Sequence, residues 1–544
     1  MAKKENHSAY INNTFTQLNH RHDNSTLKSY NMHPRQDFQQ HPKNTGLSMT
    51  ETNDDKWHYN GGNREDFYSN ASSTSGDQAH SIRYSAEEKA LVRKIDFMIM
   101  PMICVLDFLQ FLDKSTISYA ALMSFKTDLN LQGNQFSLLG SVFYLGYLLF
   151  QLPNNYLLQR FPLGKYIGIL VFLWGTVLLC TAFGTNFSQI AAMRFLLGFF
   201  EAGIYPSISL LVSTFYRRSE QVARLGAFWL CNGLALCIGG FVSYGVGHMV
   251  NVGGLKSWQW IMIILGSITI VMGVITFFFL IDSPKASALK LNAEQEILVE
   301  ERTIDNATVR TTKIKLDQIW EAVKEVRFWC FSIACLLINL QNGAMTIYNG
   351  QITASFGFDQ LQSMLLTAGA GGSDVLFIAI GVYAVRKTRQ TIYSACILMS
   401  VNIIGMILLL VIPVTRLKLL GFYLAWSYCS VYVLLVASIS NNVSGYTKKI
   451  FYNGVLMIFY TVGNFVGPLM MVEPPYVAGM LGYLVANCVV IVLLLVARWR
   501  MAVVNRRRLL LLAHTSSASV AAMNSCYGQD DISDEQDQNF IYLL

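Results

Sequence analysis

FLDKSTISYAAL, residues 111–122, and RFLLGFFEAGIYP, residues 194–206, each embed charged side chains in an otherwise apolar stretch. The charges are Asp113 with Lys114, and Arg194 with Glu201. A charged side chain at the centre of a bilayer costs roughly 2.5 to 3.5 kcal/mol on insertion scales, so such residues tend to face a bundle interior or an aqueous pathway. These four point to a path through a membrane, lined by charge.

Composition agrees. Of 544 residues, 53% are hydrophobic and only 14% charged, which is too apolar and too long for one soluble core. The apolar residues fall in twelve runs, at 97–123, 136–158, 166–185, 189–213, 225–248 and 259–281, then 328–352, 361–384, 391–413, 418–440, 451–472 and 476–497. Each is near or above the roughly 20 residues a helix needs to cross about 30 Å of hydrocarbon. The expected fold class is an all-α membrane protein with twelve transmembrane helices in two six-helix bundles. Its expected parts are a disordered tail at 1–90, a bundle at 91–281, a central loop at 282–327, a bundle at 328–499 and a tail at 500–544. Within the loop, AEQEILVEER (293–302) and KLDQIWEAVKEV (315–326) have helical apolar spacing with many charges, the pattern of amphipathic surface helices. Basic turns recur in the two halves, QRFPLGK at 159–165 and VRKTRQ at 385–390. Two bundles related by such a repeat place a substrate site at their interface, near the midplane.

The net charge of +7 sets an orientation. With the N-terminus inside, the inside loops carry Arg160 and Lys165, then Arg217, Arg218 and Arg224, then Arg386, Lys387 and Arg389, then Lys448 and Lys449. The outside loops carry only Lys126, Lys256, Arg416 and Lys418. The positive-inside bias therefore puts both termini and the central loop in the cytoplasm. These bases alternate with membrane spans rather than clustering on one soluble face, which excludes a nucleic-acid surface. The first 90 or so residues are rich in Asn, Ser, His, Gln and Asp without apolar period and read as solvated linker. They contain no apolar h-region after a basic start, so the first membrane helix directs insertion. The ten Cys form no CxxC or other ligand spacing and read as packing residues, and the His-rich tail has irregular spacing, so no metal site is expected. The acidic stretch DDISDEQDQ, 530–538, reads as a disordered tail. P-loop, GxSxG and HExxH patterns are absent, so neither an enzyme nor a cofactor is expected.

The intramembrane charges make chemical sense together. Arg194 and Glu201 lie two helical turns apart on one face, whereas the adjacent Asp113 and Lys114 point about 100° apart. Protonation of Asp113 or Glu201 leaves a positive pocket that attracts a carboxylate, and loss of the proton cancels the attraction, so proton and anion binding favour each other by linkage. A structural bridge between Arg194 and Glu201 is the competing reading. Asp107, seven residues before Lys114, is a candidate partner for it, and Asp374 in AGAGGSDVLF is a further acid that either lines the path or meets a backbone group. Gln341, Asn342 and Asn464 are polar residues in apolar helices, suited to substrate contact or to interhelical glue.

Taken in order, FLDKSTISYAAL, RFLLGFFEAGIYP with FYRRSEQVAR (215–224), NLQNGAMTIYNG (339–350), NNVSGYTKK (441–449) and YTVGNFVGPLMMVEPPY (460–476) resemble the major facilitator superfamily. Within it they resemble the anion:cation symporter family, in particular its fungal allantoate permease branch, from about Val92 to Trp499. The resemblance implies a plasma-membrane carrier, a monomer in the lipid bilayer, moving a small organic anion with protons. Such an anion is a carboxylate like allantoate, a vitamin acid or an amino-acid derivative. It implies proton coupling for Asp113 and Glu201 and substrate contact for Lys114 and Arg194; the polar Gln341, Asn342 and Asn464 are added as candidate substrate contacts, and Arg160, Lys165, Glu220 and Arg224 as a candidate cytoplasmic gate. The chain departs from the superfamily pattern in NNYLLQRFPLGK, where Asn154 stands at a Gly position and Gln159 at an Asp position, and in Lys114, where many relatives place Arg. The alternative is a transporter-like nutrient sensor that binds without carrying, a reading that the long N-terminal tail invites.

Overall fold

The computed structural model describes residues 86–158, 160–282, 292, 295–296, 298–299, 315–514, 532–537 and 539–544. The expected N-terminal tail up to residue 85, the AEQEILVEER helix for the most part, and Gln159 lie outside the described residues, whereas residues 86–90, expected in the tail, are helical.

In the first half the helices are α1 (Ala86–Leu122), α2 (Gln135–Leu157), α3 (Leu163–Thr181), α4 (Phe187–Glu201), α5 (Ile204–Phe215), α6 (Arg218–Gly247) and α7 (Ser257–Phe279). A short amphipathic helix, α8 (Leu316–Lys324), precedes the second half. That half comprises α9 (Val326–Ser355), α10 (Gln360–Thr388), α11 (Thr391–Val411), α12 (Lys418–Leu424), α13 (Tyr428–Asn442), α14 (Tyr446–Val466) and α15 (Val477–His514). Eleven helical stretches are long and apolar enough to cross a membrane, and the 23-residue α2 between two of them makes the twelfth span. α4 with α5 forms one span, as does α12 with α13. Outward faces carry exposed Phe278, Val411, Ile397 and Val485, as helices set in hydrocarbon require.

Two local features shape the site. The fourth span breaks at Ala202–Gly203, directly after Glu201. Pro206 lacks the N–H that would bond the Ala202 carbonyl four residues earlier, which explains the interruption. α2 and α4 meet backbone to backbone: a Cβ on Gly198 would stand 1.9 Å from the Phe143 carbonyl oxygen, and one on Gly146 2.1 Å from that of Phe195. Only glycine permits that approach, and it sets the Phe143 ring beside Lys114.

The two halves pack through α6 against α10, α1 against α9 and α2 against α14. Hydrogen bonds across the halves gather at one end. Gly350 N donates to Ser118 Oγ (3.0 Å), the Ser137 and Tyr348 hydroxyls share a bond of 2.6 Å, Ser141 Oγ donates to the Phe465 carbonyl (2.7 Å), and Lys126 Nζ donates to Gln351 Oε1.

The expectation of a disordered C-terminal tail is corrected for its last stretch. α15 runs on to His514, well past 499, and residues 532–544 lie against the second half, where Arg327, Lys448, Asn442, Asn505 and Arg508 take up their polar groups. Charge alone suggested a solvated segment; the buried bases that receive it come from other helices.

Candidate functional site

α1 supplies one wall of a central cavity through Asp107, Gln110, Phe111 and Lys114. Their spacing of three, four and seven residues puts them on one helix stripe. The cavity, about 950 Å³ counting the open space at its mouth, draws its lining from both halves. Asp113, one residue off the stripe, turns away and accepts from Thr269 Oγ1 of α7 at 2.9 Å, fully buried. Adjacent residues on a helix diverge by about 100°, and the two charges therefore serve different surroundings.

Lys114 Nζ lies 3.1 Å from Glu201 Oε1. That oxygen also accepts from Gln110 Nε2 at 3.2 Å. Glu201 is 0% exposed and its second oxygen has no hydrogen-bond partner. Of the residues lining the cavity, Lys114 is the one base among those described. An ammonium has three donors, and Glu201 engages one of them.

These contacts go against two pairings that the sequence left open as alternatives. Glu201 bonds Lys114 rather than Arg194, and the partner of Lys114 is Glu201 rather than Asp107. The physical reason is reach across the bundle: the break after Glu201 and the close α2–α4 packing bring the carboxylate to α1. Arg194 is buried behind the cavity wall, within electrostatic reach of Glu201 and Asp113, and its Nε and Nη2 have no hydrogen-bond partner. Asp107 and Asp374 line the cavity, 4% and 3% exposed, and Asp107 Oδ2 and Asp374 Oδ1 are likewise unpartnered.

The three amides divide. Asn342 lines the cavity, donating to Asn464 Oδ1 (2.8 Å) and accepting from the Tyr428 hydroxyl (3.1 Å). Asn464 sits one layer back and donates to Asn339 Oδ1 at 3.1 Å. Gln341 faces away, bonded to Asn402 (3.0 and 3.1 Å), Asn487 (2.7 Å) and the Ala425 carbonyl (3.0 Å), so it ties helices together. Aromatic rings complete the walls: Tyr205 and Trp229 stand 5.2 Å apart, Trp229 meets Tyr432 of the other half at 6.0 Å, and Tyr432 meets Tyr460 at 5.7 Å. Sequence reading missed these rings, because nothing distinguishes them locally from the chain's other aromatics. Gln110 was missed as well, although its place on the stripe of Asp107 and Lys114 was a signal that could have found it.

The sequence pattern described as Major Facilitator Superfamily matches residues 103–468. An uncharacterized transporter of Schizosaccharomyces pombe is 33% identical over 386 residues, covering 70% of this chain and 75% of the relative. The thiamine pathway transporter of Saccharomyces cerevisiae is 32% identical over 422 residues (76% and 80% covered). The allantoate permease of that yeast is 27% identical over 438 residues (77% and 80%). Among solved structures, an inward-facing, unoccupied bacterial homolog of the human lysosomal transporter Spinster superposes with a TM-score of 0.56 at 13% identity, covering 73% of this chain and 94% of that one. The partially occluded, inward-open xylose transporter XylE of E. coli gives 0.53 at 14% identity, covering 73% and 96%.

The chain belongs to the Major Facilitator Superfamily.

As a facilitator of the fungal branch it is a multi-pass membrane transporter of small molecules, not an enzyme. At the end of this facilitator opposite Lys126, the sequence-assigned gate residues separate. Arg224 donates through Nε and Nη2 to Asp96 of α1 (3.2 and 2.9 Å), lies over the Tyr216 ring at 4.7 Å and bonds the Glu220 carbonyl at 3.2 Å. Glu220 accepts from the Arg217 backbone at 3.2 Å, and Arg217 pairs with Glu88 at 3.2 Å. Asp96 and Glu88 were not singled out in the sequence. Arg160 is exposed over the Tyr156 ring at 5.0 Å, and Lys165 is exposed, so neither joins this cluster. Asn154, which departs from the superfamily pattern, is buried and accepts from the Tyr166 hydroxyl at 2.7 Å, a bond glycine cannot make.

Proposed function

We propose that this facilitator imports a small organic anion together with protons. The observation that carries the reading is the Lys114–Glu201 pair at the cavity wall. While Glu201 is ionised it holds the ammonium. A proton on Glu201 removes that competitor and frees Lys114 for an incoming carboxylate, and loss of the proton toward the cytoplasm lets Glu201 retake Lys114 and expel the anion. Proton and anion then promote each other's binding, as linkage requires. Asp113 is the second acid of the coupling. Arg194, behind the wall, acts as a fixed positive charge that biases both acids rather than as a direct ligand. Asn342 offers hydrogen bonds at the cavity, with Asn464 as its support, while Gln341 ties helices together behind it.

The unpartnered oxygens of Asp107 and Asp374 favour anions that also carry N–H donors, such as ureido, amide or ammonium groups, over plain carboxylates. The aromatic walls suit planar groups of that kind. Uptake of labelled acids by cells expressing the chain tests the reading. Uptake is expected to fall as external pH rises and on adding an uncoupler; uptake indifferent to both excludes proton coupling.

The working unit we assign is a monomer in the plasma membrane, with both termini and the central loop cytoplasmic. Supporting this, the bases Arg217, Arg224, Arg327 and Lys448 share one end of the bundle and Lys126 marks the other. The cross-half bonds at the Lys126 end then correspond to closure toward the outside. A tag inserted at Asn306 should be reached only after permeabilisation and one at Asn251 in intact cells. The opposite labelling pattern overturns the orientation.

A further inference from the structure

The segment Ile532–Leu544 occupies a fitted groove in the second half. Asp534 is fully buried and meets Arg327 Nη2 at 2.6 Å and Lys448 Nζ at 2.9 Å. Tyr542 donates its hydroxyl to the same carboxylate at 2.7 Å, and its ring lies under Arg327 (4.4 Å) and Arg508 (5.2 Å). Its backbone N–H and carbonyl both bond the Asn505 side chain (2.9 and 2.8 Å), and Leu543 bonds Asn442 in the same two-fold way (2.7 and 2.9 Å). The Leu544 carbonyl accepts from Thr391 N at 2.9 Å. The segment thus ties together α9, α11, α13, α14 and α15, and through Ser533 it also reaches α8.

Ser533 is the weak point of this arrangement. It is 0% exposed, and its hydroxyl donates to Glu321 Oε2 at 2.7 Å. Two cations serve three carboxylates there: Lys448 meets Glu321 (2.6 Å) as well as Glu325 and Asp534, and Arg327 meets Glu325 (2.7 Å) as well as Asp534. Formally two positive charges face three negative ones, and the nearby Arg508 is already engaged by the Asp534, Glu535 and Phe540 carbonyls. Acids also flank the serine in sequence, at Asp530, Asp531, Asp534, Glu535 and Asp537.

We propose that residues 532–544 are a releasable strap and that Ser533 is its release site, a serine whose phosphorylation keeps the segment out of its groove. A phosphoserine brings about −1.5 to −2 charges and the bulk of a phosphate, and in the groove it would face Glu321 instead of donating to it. The transfer uses a nucleoside triphosphate and a serine kinase that reads acidic flanks. The Ser533 Oγ–P bond forms, the bond from the terminal phosphorus to its bridging oxygen breaks, a nucleoside diphosphate leaves, and the hydroxyl proton passes to the kinase's base. Because the docked hydroxyl is buried, modification acts on the undocked segment and traps it there. Burial would raise the Asp534 carboxyl, yet Arg327 and Lys448 overcome this and hold it below the ordinary carboxylate range. A depressed carboxyl contributes above its unfolded value and loses that contribution as pH falls through the folded one, so the contact is present throughout the neutral range. This inference is independent of the transported substrate.

The test is amide hydrogen exchange of the full-length transporter, read at the C-terminal peptide. The wild type and Ser533→Ala should protect the Tyr542 and Leu543 amides. Protein phosphorylated on Ser533 in vitro should exchange there at least ten-fold faster, with the helices unchanged. An added synthetic peptide of residues 532–544 should displace the native tail, and its phosphoserine form should not, which reads the same effect without altering the transporter. Protection unchanged by the phosphate, as would follow if Arg508 turned to pair with it, overturns the proposal. So do wild-type amides that exchange at unfolded rates, or a phosphopeptide that competes as well as the plain one.

Discussion

Lys114→Met should reduce uptake at least a hundred-fold and lower the amount of transporter in the membrane. Two effects add. The substitution removes the cavity's base, and a hydrogen bond to a charged group contributes about 1.5 to 3 kcal/mol, or roughly ten-fold to a hundred-fold in affinity. It also strands Glu201, which is fully buried and left with Gln110 as its hydrogen-bond donor, and breaking a buried pair costs about 3 to 5 kcal/mol. The two effects separate in a double variant. Lys114→Met with Glu201→Gln removes both charges, so abundance should return toward normal while uptake stays lost. Membrane abundance by immunoblot beside uptake of labelled substrate reads both. Wild-type affinity in Lys114→Met would remove this residue from the substrate site.

Glu201→Gln alone should separate binding from accumulation. The amide is a neutral stand-in for the protonated acid: it can accept from Lys114 or Gln110 but no longer holds the ammonium by charge. Substrate binding and exchange of labelled for unlabelled substrate should persist, while concentrative uptake vanishes and the dependence of exchange on pH flattens. Counterflow and net uptake measured on the same vesicles distinguish these. A variant that still accumulates substrate against a gradient shows that the proton travels on another group, Asp113 being the next to test through Asp113→Asn. Asp113 is bonded to Thr269 behind α1 and does not touch Lys114's side of the helix, so its loss should leave the Lys114–Glu201 pair in place.

Several parts of this site were legible in the sequence because they rest on helix geometry alone. The divergence of Asp113 from Lys114 follows from 100° per residue, and the shared face of Asp107 and Lys114 follows from their seven-residue spacing; the structure has Lys114 and Asp107 on the cavity and Asp113 turned to α7. What was not legible depends on which helix lies opposite. Glu201 and Arg194 share a face, and spacing on one helix cannot say that Lys114 of α1 takes the acid while the base is left without a partner for Nε and Nη2. Gln341 and Asn342 are neighbours in sequence, yet one bonds three helices behind the wall and the other opens onto the cavity. Arg224 was singled out, but Asp96, which fixes it, lies far away in the chain at an ordinary amphipathic position.

By itself the sequence determined the class of molecule: apolar runs of membrane-spanning length, a midpoint loop and unevenly placed bases leave a twelve-helix membrane protein as the economical solution, because every backbone polar group in hydrocarbon must be satisfied within a helix. Only the tertiary structure decided the partnerships, namely Lys114 with Glu201, Trp229 with Tyr432 across the halves, and Asp534 with Arg327 and Lys448. The reason is the range of the forces. Helix formation is settled within a few residues, whereas an ion pair or ring contact forms between groups a few ångströms apart in space, and that distance exists only once the helices have packed.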